Sequence, residues 1–198
     1  KDSIFRMVDK VVSKFGRIDL LVNNARAPRK DSSDFMCADN WGPSLAVILS
    51  SSYYCSMAVI PHMEKTGGGA IVNISSIAST NVCAEPADYH AAKAGLNQLT
   101  KYLAFHAGAK GVRANAISPG LIIKEGGKER FEKDIEYKTR WKWCHPLGKV
   151  GDSTDVGNAI GFLASDMSKF ITGQVLPIDG GLTLADQGFL VNEFSQKK

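Results

Sequence analysis

The chain has 198 residues, 44% hydrophobic and 22% charged, a composition with enough apolar content for a substantial core and too little bias for disorder. Its formal charge of +4 comes from 24 basic and 20 acidic residues that are interspersed, so neither a nucleic-acid stripe nor a basic membrane-binding helix is indicated. No apolar run approaches the roughly 20 residues of a spanning helix, and the scattered Cys37, Cys55, Cys83 and Cys144 suit reduced thiols of a cytoplasmic protein better than a disulfide framework or a zinc site.

In chain order, a helix is predicted from about Ser3 to Phe15, then an apolar strand Ile18 to Val22 running into Asn23-Asn24-Ala25. A long helix follows from about Asn40 to Met63. Gly67-Gly68-Gly69 precedes the strand Ala70 to Ile74 instead of following one and opening a helix, so it reads as a turn and not a phosphate loop. That strand delivers Ser75-Ser76 at its end, and its glycosylation triplet Asn73-Ile74-Ser75 reads as chance because the strand is predicted buried. The helix that holds Tyr89 runs to about Gly108, and a strand Arg113 to Ile117 closes in Ser118-Pro119-Gly120. Leu121 to Val150 is irregular or helical; a helix Thr154 to Ala164 and a strand Gln174 to Ile178 complete the pattern before Asp179-Gly180-Gly181. Strands alternating with helices require crossover connections, hence a parallel sheet in one α/β domain over residues 1–198. Ligands of such sheets sit beyond the carboxyl ends of the strands, where Asn24, Ser76 and Pro119-Gly120 all fall.

Tyr89 and Lys93 stand four residues apart, on one face of their helix. A phenol holds its proton to about pH 10, but an ammonium one turn away favours the phenolate, so the pair suits proton exchange with an alcohol or carbonyl. The same spacing on many helices is simply an apolar body beside a solvated cation.

The blocks around Asn23-Asn24-Ala25, Ser75-Ser76, Tyr89 with Lys93, Pro119-Gly120 and Thr172-Gly173 through Asp179-Gly180-Gly181 occur in one order along nearly the whole chain. With them the sequence resembles the short-chain dehydrogenase/reductase family. The resemblance implies a Rossmann-like doubly wound parallel sheet in a three-layer α/β/α arrangement, lacking here the N-terminal βαβαβ portion with its Gly-rich phosphate turn. A βαβ unit takes 30 or more residues, so on the order of sixty are expected to be missing and the chain reads as incomplete at Lys1. Without that portion the strand around Leu20 to Val22 becomes an apolar edge.

What the resemblance further implies is NAD or NADP as cofactor and hydride transfer to or from a small hydroxyl or carbonyl substrate. Tyr89 would be the acid/base, Lys93 would lower its pKa and hold the nicotinamide ribose, and Ser76 would bind the substrate oxygen. Asn24 and Ala25 would line the cofactor, Ile74 would face it, and Pro119, Gly120 and Ile122 would meet the nicotinamide. Neither a nucleic acid nor a membrane is expected as a partner.

Three positions depart from the family pattern. Arg26 replaces the glycine after Asn-Asn-Ala, with steric interference the plainer reading and reach to a phosphate the other; Ile48 stands where an asparagine supports a proton path to the lysine; Lys124 replaces a threonine that helps hold the cofactor. The segment Lys124 to Pro146 matches the family's substrate lid. It reads either as a solvated helix with Trp141 and Trp143 packed on the body, or as an apolar wall whose Lys138, Arg140 and Lys142 meet an anionic substrate such as an acyl-CoA. Two functions follow: an oxidoreductase, or a degenerate subunit paired with an active paralogue. Apolar residues spread around the two long helices leave a stripe for another subunit to cover, and the resemblance implies that this builds a homotetramer, or a hetero-oligomer with such a paralogue.

Overall fold

The computed structural model describes residues 1–27, 35–186 and 188–190. Helix α1 (Asp2–Phe15) ends where Gly16 adopts a left-handed conformation, its N–H returning to the Val12 carbonyl. Strand β1 (Leu20–Asn23) follows. The next helical run begins as α2 (Trp41–Ser44), widens into π-type turns over Leu45–Ser50 and continues as α3 (Ser51–Lys65). Serines explain the irregularity: Ser51, Ser52 and Ser56 donate their hydroxyls to the carbonyls of Val47, Ile48 and Ser52, a back-bonding that loosens and bends helices. The glycine turn then reverses the chain into β2 (Gly69–Ile74). Gly68 is obligatory there, because its φ is +122° and an added Cβ would lie 2.4 Å from the Gly111 carbonyl oxygen.

After β2 come α4 (Ala87–Ala107), β3 (Val112–Pro119) and a two-residue β4 (Ile122–Ile123). The lid segment forms two helices, α5 (Glu125–Lys133) and α6 (Ile135–Cys144), and returns through β5 (Gly151–Asp152) to pair with β4. Helix α7 (Ser153–Ala164) starts with a reciprocal capping box between Asp152 and Asp155, and β6 (Val175–Ile178) ends the fold. The β4–β5 pair and the π-type turns have no counterpart in the sequence expectation. The other element boundaries agree with it to within about two residues.

The main sheet is parallel throughout, in the order β1-β2-β3-β6, with β1 on its edge as expected. Alternation along the strands divides the core. On one face Ile71 and Ala114 pack with Val8 of α1, Val59 and Met63 of α3, and Leu103 of α4; on the other Val72, Ile74 and Ile117 pack with Leu163 of α7. This is the doubly wound, three-layer arrangement. Fully burying a side chain such as Ile71 or Ile117 contributes roughly 1.5–3 kcal/mol.

A polar network crosses the first layer. Asn23 Nδ2 donates to Asn73 Oδ1 at 2.8 Å, Asn73 Nδ2 to Thr100 Oγ1 at 2.8 Å, and Thr100 to the Leu96 carbonyl at 2.8 Å. At the far end of the sheet Arg113 closes the C-terminus of α7 by donating to the Leu163 and Ser165 carbonyls and to Ser168. One expectation is corrected. The helical run Ala38–Lys65 is long and apolar enough, by length and composition, to cross a membrane. Its serines hid this in the sequence, but their hydroxyls bond within the helix and no charge interrupts 41–63. In the fold it is a core helix, burying Ser52, Ser56, Val59 and Met63.

Candidate active site

All four main strands point the same way, so the segments after β1, β2, β3 and β6 lie at one end of the sheet. After β1 the chain runs through exposed Asn24 and Ala25 to Arg26. After β2, Ser75 is buried with its hydroxyl toward the Lys93 carbonyl at 3.5 Å, whereas Ser76 is half-exposed in extended conformation and caps a short 3-10 turn by accepting from Ala78 N at 3.1 Å. Burial of the first serine against α4 leaves the second as the more accessible of the two. A hydroxyl that accepts from a backbone N–H still has its own hydrogen to donate. Among the described residues no hydrogen bond joins the Ser76 and Tyr89 hydroxyls.

Helix α4 begins beside this turn. Pro86 precedes its first residue, and Asp88 in the first turn is buried, accepting from the Ser44 hydroxyl. Tyr89 is half-buried, its ring in an apolar cluster with Ile48, Ala92 and Leu96. One turn on, Lys93 is 4% exposed and its Nζ donates to the Ile74 carbonyl oxygen at 2.5 Å, 5.4 Å from the Tyr89 ring centre. Burial, and second the charge of Arg26, push the Lys93 ammonium down to about 8. Ile48 is fully buried in the π-type stretch, so an apolar side chain occupies the expected position of a polar proton path.

Arg26 is exposed but engaged by two neighbours. Its guanidinium carbon lies 4.4 Å from the Tyr89 ring centre, and Nη1 and Nη2 donate to the Glu85 carboxylate at 3.2 and 2.7 Å. This Arg26–Glu85–Tyr89 stack was not legible in the sequence. Glu85 stands four residues before Tyr89, but its cation comes from 59 positions away. Also unread was the contact of His90, whose Nε2 meets Cys83 N at 3.2 Å while Nδ1 bonds the Pro86 carbonyl.

Beyond β3, Gly120 donates its N–H to the Ile178 carbonyl and approaches Asp179 so closely that a Cβ would lie 2.8 Å from the Asp179 Cβ. Ile122 packs on Gly151, and a Cβ there would meet it at 2.7 Å. Burial tends to raise the Asp179 carboxyl, but bonds from the Thr183 hydroxyl and the Gly181 and Thr183 amides, with His145 nearby, hold it below the usual range. Lys124 is exposed at the start of α5. In the lid, Lys138 pairs with Glu132 and Arg140 with Glu136, while Phe131, Tyr137, Trp141 and His145 follow one another edge to face or tilted. That pattern is the packed, solvated reading of this segment. A cavity of about 480 Å³ between lid and α7 is lined by Ile123, Lys128, Phe131, Lys142 and Asp152, and its lining does not include Ser76 or Tyr89.

A family model described as Enoyl-(Acyl carrier protein) reductase matches residues 1–183. The chain belongs to the short-chain dehydrogenase/reductase family. Among curated relatives, an oxidoreductase of Schizosaccharomyces pombe is 38% identical over 196 residues, covering 98% of this chain and 76% of the relative. The 3-oxoacyl-[acyl-carrier-protein] reductase FabG of Thermotoga maritima is 38% identical over 184 residues, 93% of this chain and 74% of the relative. Among solved structures, a gluconate 5-dehydrogenase from Burkholderia cenocepacia in complex with NADP and tartrate superposes with a TM-score of 0.81 at 32% identity, over 92% of this chain and 71% of that one. Membership in this dehydrogenase/reductase family makes the chain an oxidoreductase.

The residues at the cleft fit the nicotinamide end of such a cofactor. An ammonium has three donors, and Lys93 directs one at Ile74, leaving two for ribose hydroxyls. Asn24-Ala25 follow β1 and Pro119-Gly120 stand at the end of β3, the two strands that flank β2.

Proposed function

We propose that this chain uses NAD or NADP to move hydride between nicotinamide and a hydroxyl or carbonyl carbon, with Tyr89 as acid/base, Lys93 as ribose holder and local cation, and Ser76 as donor to the substrate oxygen. The observation that carries this reading is the anchoring of Lys93. Its Nζ is fixed on the Ile74 carbonyl at the end of β2, which sets the cation beside Tyr89 at the strand ends where Ser76 also stands.

When bound, the cofactor supplies or accepts the hydride. In reduction Ser76 donates a hydrogen bond to the carbonyl oxygen, and Tyr89 gives that oxygen its proton as negative charge develops. Lys93, charged below about pH 8, stabilises the phenolate that remains. Asn24, Ala25, Ile74, Pro119, Gly120 and Ile122 shape the nicotinamide side of the cleft. The matched relatives are named reductases, dehydrogenases or oxidoreductases, which lends nothing to a non-catalytic subunit.

The test is Tyr89→Phe in the complete natural protein. It should abolish nearly all turnover while leaving NADPH binding, followed by cofactor fluorescence, almost unchanged, because it removes a proton and little surface. Lys93→Ala should damage both. Retention of most turnover by Tyr89→Phe would show that another group is the acid.

A further inference from the structure

We propose that Arg26 is a specificity-determining residue that selects short oxo or hydroxy acids, whose carboxylate stands one or two carbons from the reacting carbon and binds the guanidinium beside Tyr89. The proposal rests on the reading of Tyr89 as acid/base and names the substrate class of that same site.

The geometry supplies the argument. Arg26 and Lys93 place two cations around one ring, at 4.4 and 5.4 Å from its centre. A guanidinium has five N–H donors in a planar fork. Two are directed at Glu85, and the described residues direct no acceptor at the Nε edge. The side chain is 44% exposed, so an incoming anion reaches it without unpacking the core. A carboxylate bonded to that edge, with N···O about 2.8 Å, would be held beside the ring that Arg26 stacks on, so that a reacting carbon one or two bonds away stays near Tyr89. An ester or amide of the same shape offers the guanidinium no charge.

Two further observations agree. Glu85 bonds Arg26 and so presets its orientation before substrate arrives, the preorganisation that an anion clamp needs. Arg26 and Lys93 also set two positive charges about one ring, and an anion seated at Arg26 would offset that concentration of charge. In reduction the carbonyl carbon gains hydride from the reduced nicotinamide and its oxygen gains the Tyr89 proton. The carboxylate passes through unchanged, and the product is the hydroxy acid with oxidised cofactor.

The experiment compares acetoacetate with ethyl acetoacetate, and pyruvate with methyl pyruvate, as substrates of the complete natural protein with NADPH. Dissociation constants of the same probes are measured on the NADPH-loaded Tyr89→Phe protein, where no turnover intervenes. Wild type should favour at least one acid over its ester by about tenfold or more in kcat/KM, chiefly through KM, and Arg26→Gln should bring that ratio toward one, with Arg26→Lys recovering part of it. Equal use of acid and ester by wild type, an acid preference that survives Arg26→Gln, or no binding of either acid at millimolar concentration would each overturn the proposal. If the Tyr89→Phe enzyme turns substrate over, or the natural protein binds neither NADPH nor NADH, the underlying reading fails instead and takes this one with it.

Discussion

The Lys93 ammonium is held by the main-chain carbonyl of Ile74, 19 residues earlier and on the neighbouring strand, at 2.5 Å. A cation at the end of a long flexible stem is thereby placed by the sheet and not by its own helix. Burial, and second the charge of Arg26, lower the Lys93 ammonium against this contact. With Lys93 at about 8, turnover in the reductive direction should decline above that pH as the ammonium is lost. Arg26→Gln removes the second cause of the depression, so the alkaline limb should move upward. A pH profile of kcat/KM for both proteins checks this, and an unmoved limb would separate Arg26 from Lys93.

The same depression links Lys93 to stability. Burial disfavours the charged form, so between pH 8 and 10.5 the native state binds fewer protons than the unfolded chain and stability from this group rises with pH. Below about 8 both states are protonated and the burial penalty is fully present. Relative to Lys93→Met, wild type should therefore gain up to about 3 kcal/mol across that window. Urea unfolding of both proteins at several pH values measures the difference; a flat difference would mean that Lys93 titrates alike in both states.

Asn73 should be the costliest polar residue to remove. It accepts from Asn23 and donates to Thr100 with none of its own surface exposed. Asn73→Ala should cost about 2–4 kcal/mol, since it strips partners from buried groups and opens a small void. Thermal and urea denaturation test this, and a loss under about 1 kcal/mol would mean that water replaces the amide.

Ile48→Asn should raise turnover if the apolar contact between Ile48, Ala92 and Tyr89 limits proton resupply to the site. Its price is stability, about 1–3 kcal/mol for a buried amide without a set of partners. Single-turnover and steady-state rates distinguish the cases. An unchanged rate in a folded variant places the slow step elsewhere.

Helices α3 and α4 expose Tyr53, Met57, Tyr102 and the almost bare Phe105. A second subunit covering about 800 Å² on each partner would account for them, as a homotetramer or a hetero-oligomer with a paralogue. Phe105→Glu should shift light-scattering mass toward smaller species without changing the far-ultraviolet spectrum. A wild-type monomer at micromolar concentration would refute the assembly.

Strand and helix order and the turn at Gly67-Gly68-Gly69 were legible in the sequence because each rests on local information, apolar period or glycine conformation, whereas Ser76, Tyr89 and Lys93 became candidates only through the family resemblance, the spacing of Tyr89 and Lys93 being common on helices. The edge position of β1 was legible too, through the resemblance. The tertiary fold decided what depends on partners distant in the chain. It buried Ser75 against α4 while leaving Ser76 partly exposed, anchored Lys93 on Ile74, and joined Asn23, Asn73 and Thr100. Arg26 shows the division most plainly. From the sequence it was a bulky cation in a place suited to glycine; in the fold Glu85, 59 residues away, turns it onto Tyr89, because opposite charges and an aromatic face meet only when the ends of β1 and β2 lie side by side.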